Sequence, residues 1–182
     1  MRPFDKIGSI FGYEPAINPA EGAEAQVCPF LYNCAMFRAR AIIIRNRHIA
    51  LIKREREGHI YYVIPGGGME TGESPQQTAI RESHEELGLT VAIERLLAKV
   101  TYHGREQYYF LARVTGGHFG TGRGPEMTGR YPPERGTYTP VWMPLNGIEK
   151  IDLFPPSIAE LVSRAAVSGW PDSTVEILLD DE

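Results

Sequence analysis

The sequence predicts an α+β fold. Three observations carry this: β-rich apolar runs crowd between Arg38 and Ile64 and again between Val91 and Val114, two stretches show helical spacing, and turn residues punctuate the joins. At 182 residues, 42% of them apolar and 23% charged, the chain has the size and balance of one domain that buries a single core.

Residues 1–33 carry scattered Pro and Gly without a sustained period and read as an irregular N-terminal arm; residues 34–182 form the domain proper. RARAIIIRN and HIALIKRE are β-rich runs joined at Asn46-Arg47, which predicts a hairpin, and HIYYVI from His59 to Ile64 is a third strand. PGGGMETGESP is too rich in Gly and Pro for regular structure. The helix that follows has both ends written in. Ser74 is the N-cap, Pro75 suits the first turn, and Gln77 completes an S-x-x-Q capping box. Gly88 supplies the left-handed stop. Ala79, Ile80, Ser83 and Leu87 make its buried stripe.

Strands are expected at about Val91 to Tyr102 and Gln107 to Val114, paired across His103-Gly104-Arg105. Gly116 to Gly136 has no period, and a loop of that length in a compact domain predicts a substrate loop. TYTPVWMPL is a last strand interrupted by Pro140. Pro156 to Val167 is a second helix with Ile158, Leu161, Val162 and Ala165 on one face. Trp142 and Trp170 read as packing residues.

A net charge of −4 argues against an extended nucleic-acid surface, which needs clustered Lys and Arg to displace counterions. No apolar run approaches the roughly 18 residues that cross a bilayer, so no membrane association is expected. The N-terminus lacks an export signal, which predicts a cytoplasmic protein. Cys28 and Cys34 are too few for a disulfide framework or a thiolate zinc site. Oligomeric state is not written in the residues, and a homodimer is expected over a monomer, with the arm packing on the second copy or covering the site.

The chemistry concentrates on the first helix. Glu82, Glu85 and Glu86 stand at i, i+3 and i+4, so they share a face that the helical count turns outward, away from the apolar stripe. Three neighbouring carboxylates repel one another and call for a cation. Hard oxygen ligands suit Mg²⁺ or Mn²⁺, an ion that serves metal-assisted hydrolysis of a phosphoanhydride. Gly66, Gly67, Gly68 and Gly72 let backbone approach such an ion. Each feature also has a plainer reading, as a solvated helix face and an ordinary turn.

Gly67 to Leu89, GGMETGESPQQTAIRESHEELGL, resembles the Nudix box, G-x5-E-x7-R-E-U-x-E-E-x-G-U with U apolar. Every fixed position is filled, and Ser83 departs from the pattern at an apolar position. The resemblance implies an α/β/α sandwich with a central mixed β-sheet and a pyrophosphohydrolase acting on a small nucleotide-like substrate. It further implies Glu82 and Glu86 as the principal metal ligands, Glu85 as a further ligand or the residue that handles the water, and the Gly66 carbonyl in the shell. Glu73 and Arg81 are expected to pair and lock the loop to the helix, with Glu70 taking part through water. A base from a later loop is expected at Glu126, with Glu134 second; both also read as solvated loop charges.

The box touches metal and phosphates, so the substrate is chosen elsewhere. Arg40, Lys53 and Arg54 are candidate phosphate contacts or a solvated strand face, and Tyr62 is a candidate stacking residue or rim packing beside Tyr61, Tyr108 and Tyr109. His84 and His103 lack partners at ligand spacing. Two rival readings remain: a non-catalytic nucleotide-sensing module, whose mark would be loss of a central acid, and a diphosphate isomerase, which needs proton-transfer residues that no pattern here locates.

Overall fold

The computed structural model describes residues 37–102, 105–129 and 133–179. The arm, Cys28, Cys34 and His103 lie outside the described residues.

Strands β1 (Phe37–Arg45) and β2 (His48–Arg56) turn at Asn46-Arg47, where φ is 49° and 60°. Two successive positive φ values match the twist of a two-residue hairpin. β3 (His59–Val63) pairs antiparallel with β2. The chain then does what its composition hides. Gly66–Gly68 is a short strand, β4, laid antiparallel on β1 with Ala39 opposite Gly67. The expectation of irregular structure fails here because pairing with β1 supplies the order that three glycines lack on their own.

Helix α1 (Pro75–Leu87) begins at Ser74, whose Oγ accepts from the Gln77 N–H while the Gln77 side chain accepts from the Ser74 N–H. It ends at Gly88, φ 74°. β5 (Leu89–Tyr102) and β6 (Arg105–Gly117) form a long antiparallel pair with register shifts, and β6 runs parallel to β1. After a 3-10 turn at Pro133–Arg135, β7 (Thr137–Pro144) pairs along β2, with Pro140 opposite Ile52. β7 has no second partner among the described residues, so the missing Pro140 N–H breaks no other ladder there. Two further strands were not anticipated: β8 (Leu153–Phe154), parallel to β3, and β9 (Val175–Leu179), parallel to β5. Between them lies helix α2 (Pro156–Ser168).

The strands form one mixed sheet in the order β8-β3-β2-β1-β6-β5-β9, with β4 on β1 and β7 on β2. Alternation along β1 divides the core between its two faces. Ala39, Ala41 and Ile43 pack with Ala79 and Leu87 of α1, whereas Ile42 joins Leu51, Tyr109 and Ile158 and Val162 of α2. The sheet is therefore sandwiched between helices. Burying Leu87 fully contributes roughly 2 kcal/mol to holding α1 in place. Trp142 and Trp170 pack against the α1-side and α2-side clusters respectively. Among the described residues no helix is long and apolar enough to cross a membrane.

Candidate active site

The face of α1 that carries the acids is not turned outward. Glu82 and Glu86 are only 8% and 6% exposed, while Ile80, placed in the buried stripe by spacing, is half-buried. The reason is β4. A Cβ on Gly67 would stand 2.3 Å from Glu82 Oε1, so the glycine is what lets the strand run beneath that carboxylate. The Gly66 N–H donates to Glu86 Oε2 at 2.7 Å. Gly66 has φ 142°, and a Cβ there would meet the Ala39 carbonyl at 2.2 Å.

Arg81 gathers the box around itself. Its Nε and Nη2 bind the two oxygens of Glu73 at 2.7 and 3.0 Å, its Nη2 reaches the Gly68 carbonyl at 3.0 Å, and its Nη1 serves Glu82 at 2.9 Å and Glu85 at 3.2 Å. Glu73 also accepts from Thr78 Oγ1 and the Glu70 N–H. These donors, Arg81 first, hold the Glu73 carboxyl at about 2, and Arg81 in turn is held protonated. The Glu70 carboxylate is more remote, 4.0 Å from Arg81 and exposed. Ser83 is fully buried, and its hydroxyl donates back to the Ala79 carbonyl, so the polar residue sits in the stripe without an unmet hydrogen bond.

The electrostatics of the two buried acids differ from those of Glu73. Burial pushes Glu86 up to about 8, with the charge of Glu82 adding to it. Burial also raises Glu82, against the pull of Arg81. Glu126 adds to both shifts, so the late loop brings its carboxylate within electrostatic range of the pair.

That loop is anchored on α1. The N–H groups of His118, Gly120 and Gly124 donate to the carbonyls of Gly88, Leu87 and Glu85, which meets the unpaired acceptors at the helix end. Gly122 lies so close that a Cβ would stand 2.4 Å from the Glu86 carbonyl oxygen. Glu134 is exposed in the 3-10 turn.

The four candidate substrate residues separate. Arg40 is 6% exposed and donates to the carbonyls of Ile64 and Gly66 and to Gln107, so it buttresses β4 instead of forming a solvated face. Arg54 stacks its guanidinium 3.4 Å from the centre of the Tyr138 ring and binds the carbonyls of Arg135 and Thr137. Lys53 and Tyr62 stand opposite each other on β2 and β3, both half-buried, with Tyr62 packed toward the α2-side cluster. Spacing did not single out Arg38, Gln107 or Tyr138. A signal for Gln107 was present, since alternation along QYYFLARV puts it on the same side of the strand as Tyr109.

Among the described residues no group of three His, Cys, Asp or Glu side chains stands close enough to hold a metal as arranged, and Glu82 and Glu85 are turned to Arg81. The donor chemistry nevertheless fits a hard divalent cation: two buried carboxylates with raised proton affinity, beside backbone that glycine alone allows so near.

A family model described as the NUDIX domain matches residues 36–164. The chain belongs to this family. RNA pyrophosphohydrolase of Aliivibrio fischeri (strain MJ11) is 40% identical to this NUDIX chain over 57 residues, 31% of the chain and 34% of that protein. The corresponding protein of Erythrobacter litoralis is 32% identical over 72 residues, covering 29% and 44%. The match thus spans about a third to under half the length of these curated relatives. The solved structure of an ADP-ribose pyrophosphatase from Streptococcus suis is 19% identical with a TM-score of 0.55, covering 78% of this chain and 98% of that one. A NUDIX hydrolase from Nitrosomonas europaea is 20% identical with a TM-score of 0.57, covering 79% and 78%. At such identities these likenesses speak to the NUDIX fold alone.

Proposed function

We propose that this NUDIX chain hydrolyses a phosphoanhydride bond in a nucleoside diphosphate linked to another group, with Mg²⁺ or Mn²⁺ as cofactor. The observation that carries the reading is the burial of Glu82 and Glu86 against the Gly66–Gly68 strand, with Glu126 delivered beside them from a separate loop. A solvated helix face would leave those acids exposed. Relatives named RNA pyrophosphohydrolase and a fold shared with an ADP-ribose pyrophosphatase support the same bond type.

In this reading Glu82 and Glu86 hold the cation, with Glu85 and the Gly66 carbonyl as further oxygen donors. The bound ion supplies charge neutralisation on the diphosphate and acidifies the attacking water. Glu126 would accept the proton of that water, since its loop is fixed to the helix end and its charge acts on both Glu82 and Glu86. Arg81 and Glu73 keep the loop and helix in register, a positioning role. Arg54 on Tyr138 lines the approach from β2 and β7.

Nothing favours the sensing module, because each central acid is present. The test is a panel of nucleoside triphosphates, nucleotide sugars, dinucleoside polyphosphates and ADP-ribose with Mg²⁺, followed by product analysis in ¹⁸O water. Turnover by the wild type, with kcat lowered at least 100-fold in Glu86→Gln and Glu126→Gln, is expected. Tight nucleotide binding without turnover would establish the sensing module instead.

A further inference from the structure

The sheet forks beside the acids. β1 and β2 pair at Ile44 with Ile49 and at Arg45 with His48, and past those pairs each takes a new neighbour, β4 along β1 and β3 along β2. Five residues from Ile44 on one branch is Ala39, opposite the Gly67 that lies beneath Glu82. Five residues from Ile49 on the other is Arg54, standing between Tyr138 of β7 and Tyr61 of β3. Alternation puts Arg54 on the side of Ala50 and Ile52, which pack with α1. The two branches thus carry the acids and a Tyr-Arg-Tyr row at one level of the sheet and on one face.

Arg54 is held in a fixed plane. Its Nε donates to the Thr137 carbonyl at 3.2 Å and its Nη2 to that of Arg135 at 2.7 Å, while the guanidinium lies 3.4 Å from the Tyr138 ring centre and 5.7 Å from that of Tyr61. Nη1 and the second hydrogen of Nη2 meet no acceptor, and no carboxylate pairs with the group, among the described residues. Nor is Nη1 sealed off from solvent. A pin between strands would need the bonded edge alone. The open edge is a pair of parallel donors, aligned in advance for a ligand with two adjacent acceptors.

Glu126 narrows the choice of ligand. Burial raises the Tyr138 phenol against the pull of Arg54, and the charge of Glu126 adds to the rise, so the carboxylate that acts on Glu82 and Glu86 also acts on this row. A further phosphate brought to Arg54 would meet that negative charge, whereas a neutral ring would not. The two tyrosines suit a planar group. Among planar groups attached to a diphosphate, guanine offers O6 and N7 side by side to an arginine fork, and adenine puts a donor where O6 would be.

We propose that Arg54 reads the base of the substrate, so that a guanine nucleotide is taken ahead of an adenine nucleotide. The proposal rests on the hydrolase reading for the diphosphate's place at the acids, and binding tests it without turnover. The probes are GDP and ADP analogues with a methylene group in place of the bridging oxygen, titrated by calorimetry with Mg²⁺. Wild type is expected to bind the guanine analogue at least tenfold more tightly. Arg54→Lys keeps the charge but has no pair of parallel donors, and it should bring the two affinities within twofold, as should Arg54→Met. The ratio is read within each variant, so a general loss of stability does not imitate the effect.

Equal affinities in wild type, binding of neither analogue, or a guanine preference that survives in Arg54→Lys overturns the proposal. Arg54-dependent binding of tripolyphosphate without a base preference also overturns it, by assigning the arginine to a phosphate. An Arg54-dependent guanine preference in a protein that hydrolyses nothing would leave the base site standing and remove the hydrolase reading. Turnover with no base preference would do the reverse.

Discussion

Three consecutive glycines in β4 allow a graded test of the acid site. The perturbation is a single methyl at Gly66, Gly67 or Gly68. At Gly67 the new Cβ would lie 2.3 Å from Glu82 Oε1 and 2.7 Å from its Cδ, against an ordinary contact that begins at 3.4 Å. What it meets is the end of a side chain, so the carboxylate retreats by about 1 Å and the fold survives. A displacement of that size at a reacting group costs on the order of 100-fold in rate. Gly67→Ala is thus expected to fold with Tm within a few degrees of wild type, to need more Mg²⁺ for half-saturation, and to lose about two orders of magnitude in kcat. Gly68→Ala meets nothing within 4 Å and should be near wild type in both respects. Gly66→Ala drives its Cβ into backbone, 2.2 Å from the Ala39 carbonyl at φ 142°, and should fail as a fold before it fails as an enzyme. Circular-dichroism melts and Mg²⁺ titrations of kcat on all three variants make the comparison. Full activity in Gly67→Ala, or equal losses at Gly67 and Gly68, would refute a catalytic placement of Glu82 over this strand.

Three further outcomes follow from the same geometry. The Glu86 carboxyl stands at about 8 when folded against 4.5 as reference, so between those values the folded chain keeps a proton that the unfolded chain has released. Stability in EDTA should therefore fall as pH rises from about 4.5 to 8, and Glu86→Gln should flatten that slope in melts at pH 5, 6, 7 and 8; matching slopes would contradict the assignment. Arg81→Lys loses the two-pronged grip on Glu73, whose side chain is 17% exposed, and should cost about 1–3 kcal/mol in urea unfolding. Ser83→Ala removes a hydroxyl whose partner among the described residues is a helix carbonyl, and should change stability by less than about 0.5 kcal/mol in the same assay.

What could be read from the residues was whatever is encoded locally. Helix α1 announces its ends through Ser74, Gln77 and Gly88, because caps are interactions between residues three or four apart. The hairpin at Asn46-Arg47 is legible for the same reason. β9 was not, since VEILL becomes a strand only by lying parallel to β5, some 75 residues earlier in the chain. The direction of the acids was misread because a helical count knows one face from another but not what is laid across each. β4, three residues without side chains, changed a solvated face into a buried one. Arg40 was misjudged in the same way: alternation put it on a face, and only the fold shows that Ile64, Gly66 and Gln107 converge on it.

The loop that closes the end of α1 has a consequence for how such a chain can diversify. From His118 to Gly124 its backbone is tied to three carbonyls of the helix end, and Gly122 has no room for a side chain. A residue inserted there would slide Glu126 along the chain and detach it from the acids it faces. Beyond Gly129 no such tie to α1 is seen among the described residues, and the backbone is held again at the Arg135 carbonyl, which accepts from Arg54, and at Gly136, where a Cβ would meet the Glu55 carbonyl at 2.1 Å. Lineages that lengthen or shorten this region would do so between those two glycines, changing the loop while leaving Glu126 in step with the helix.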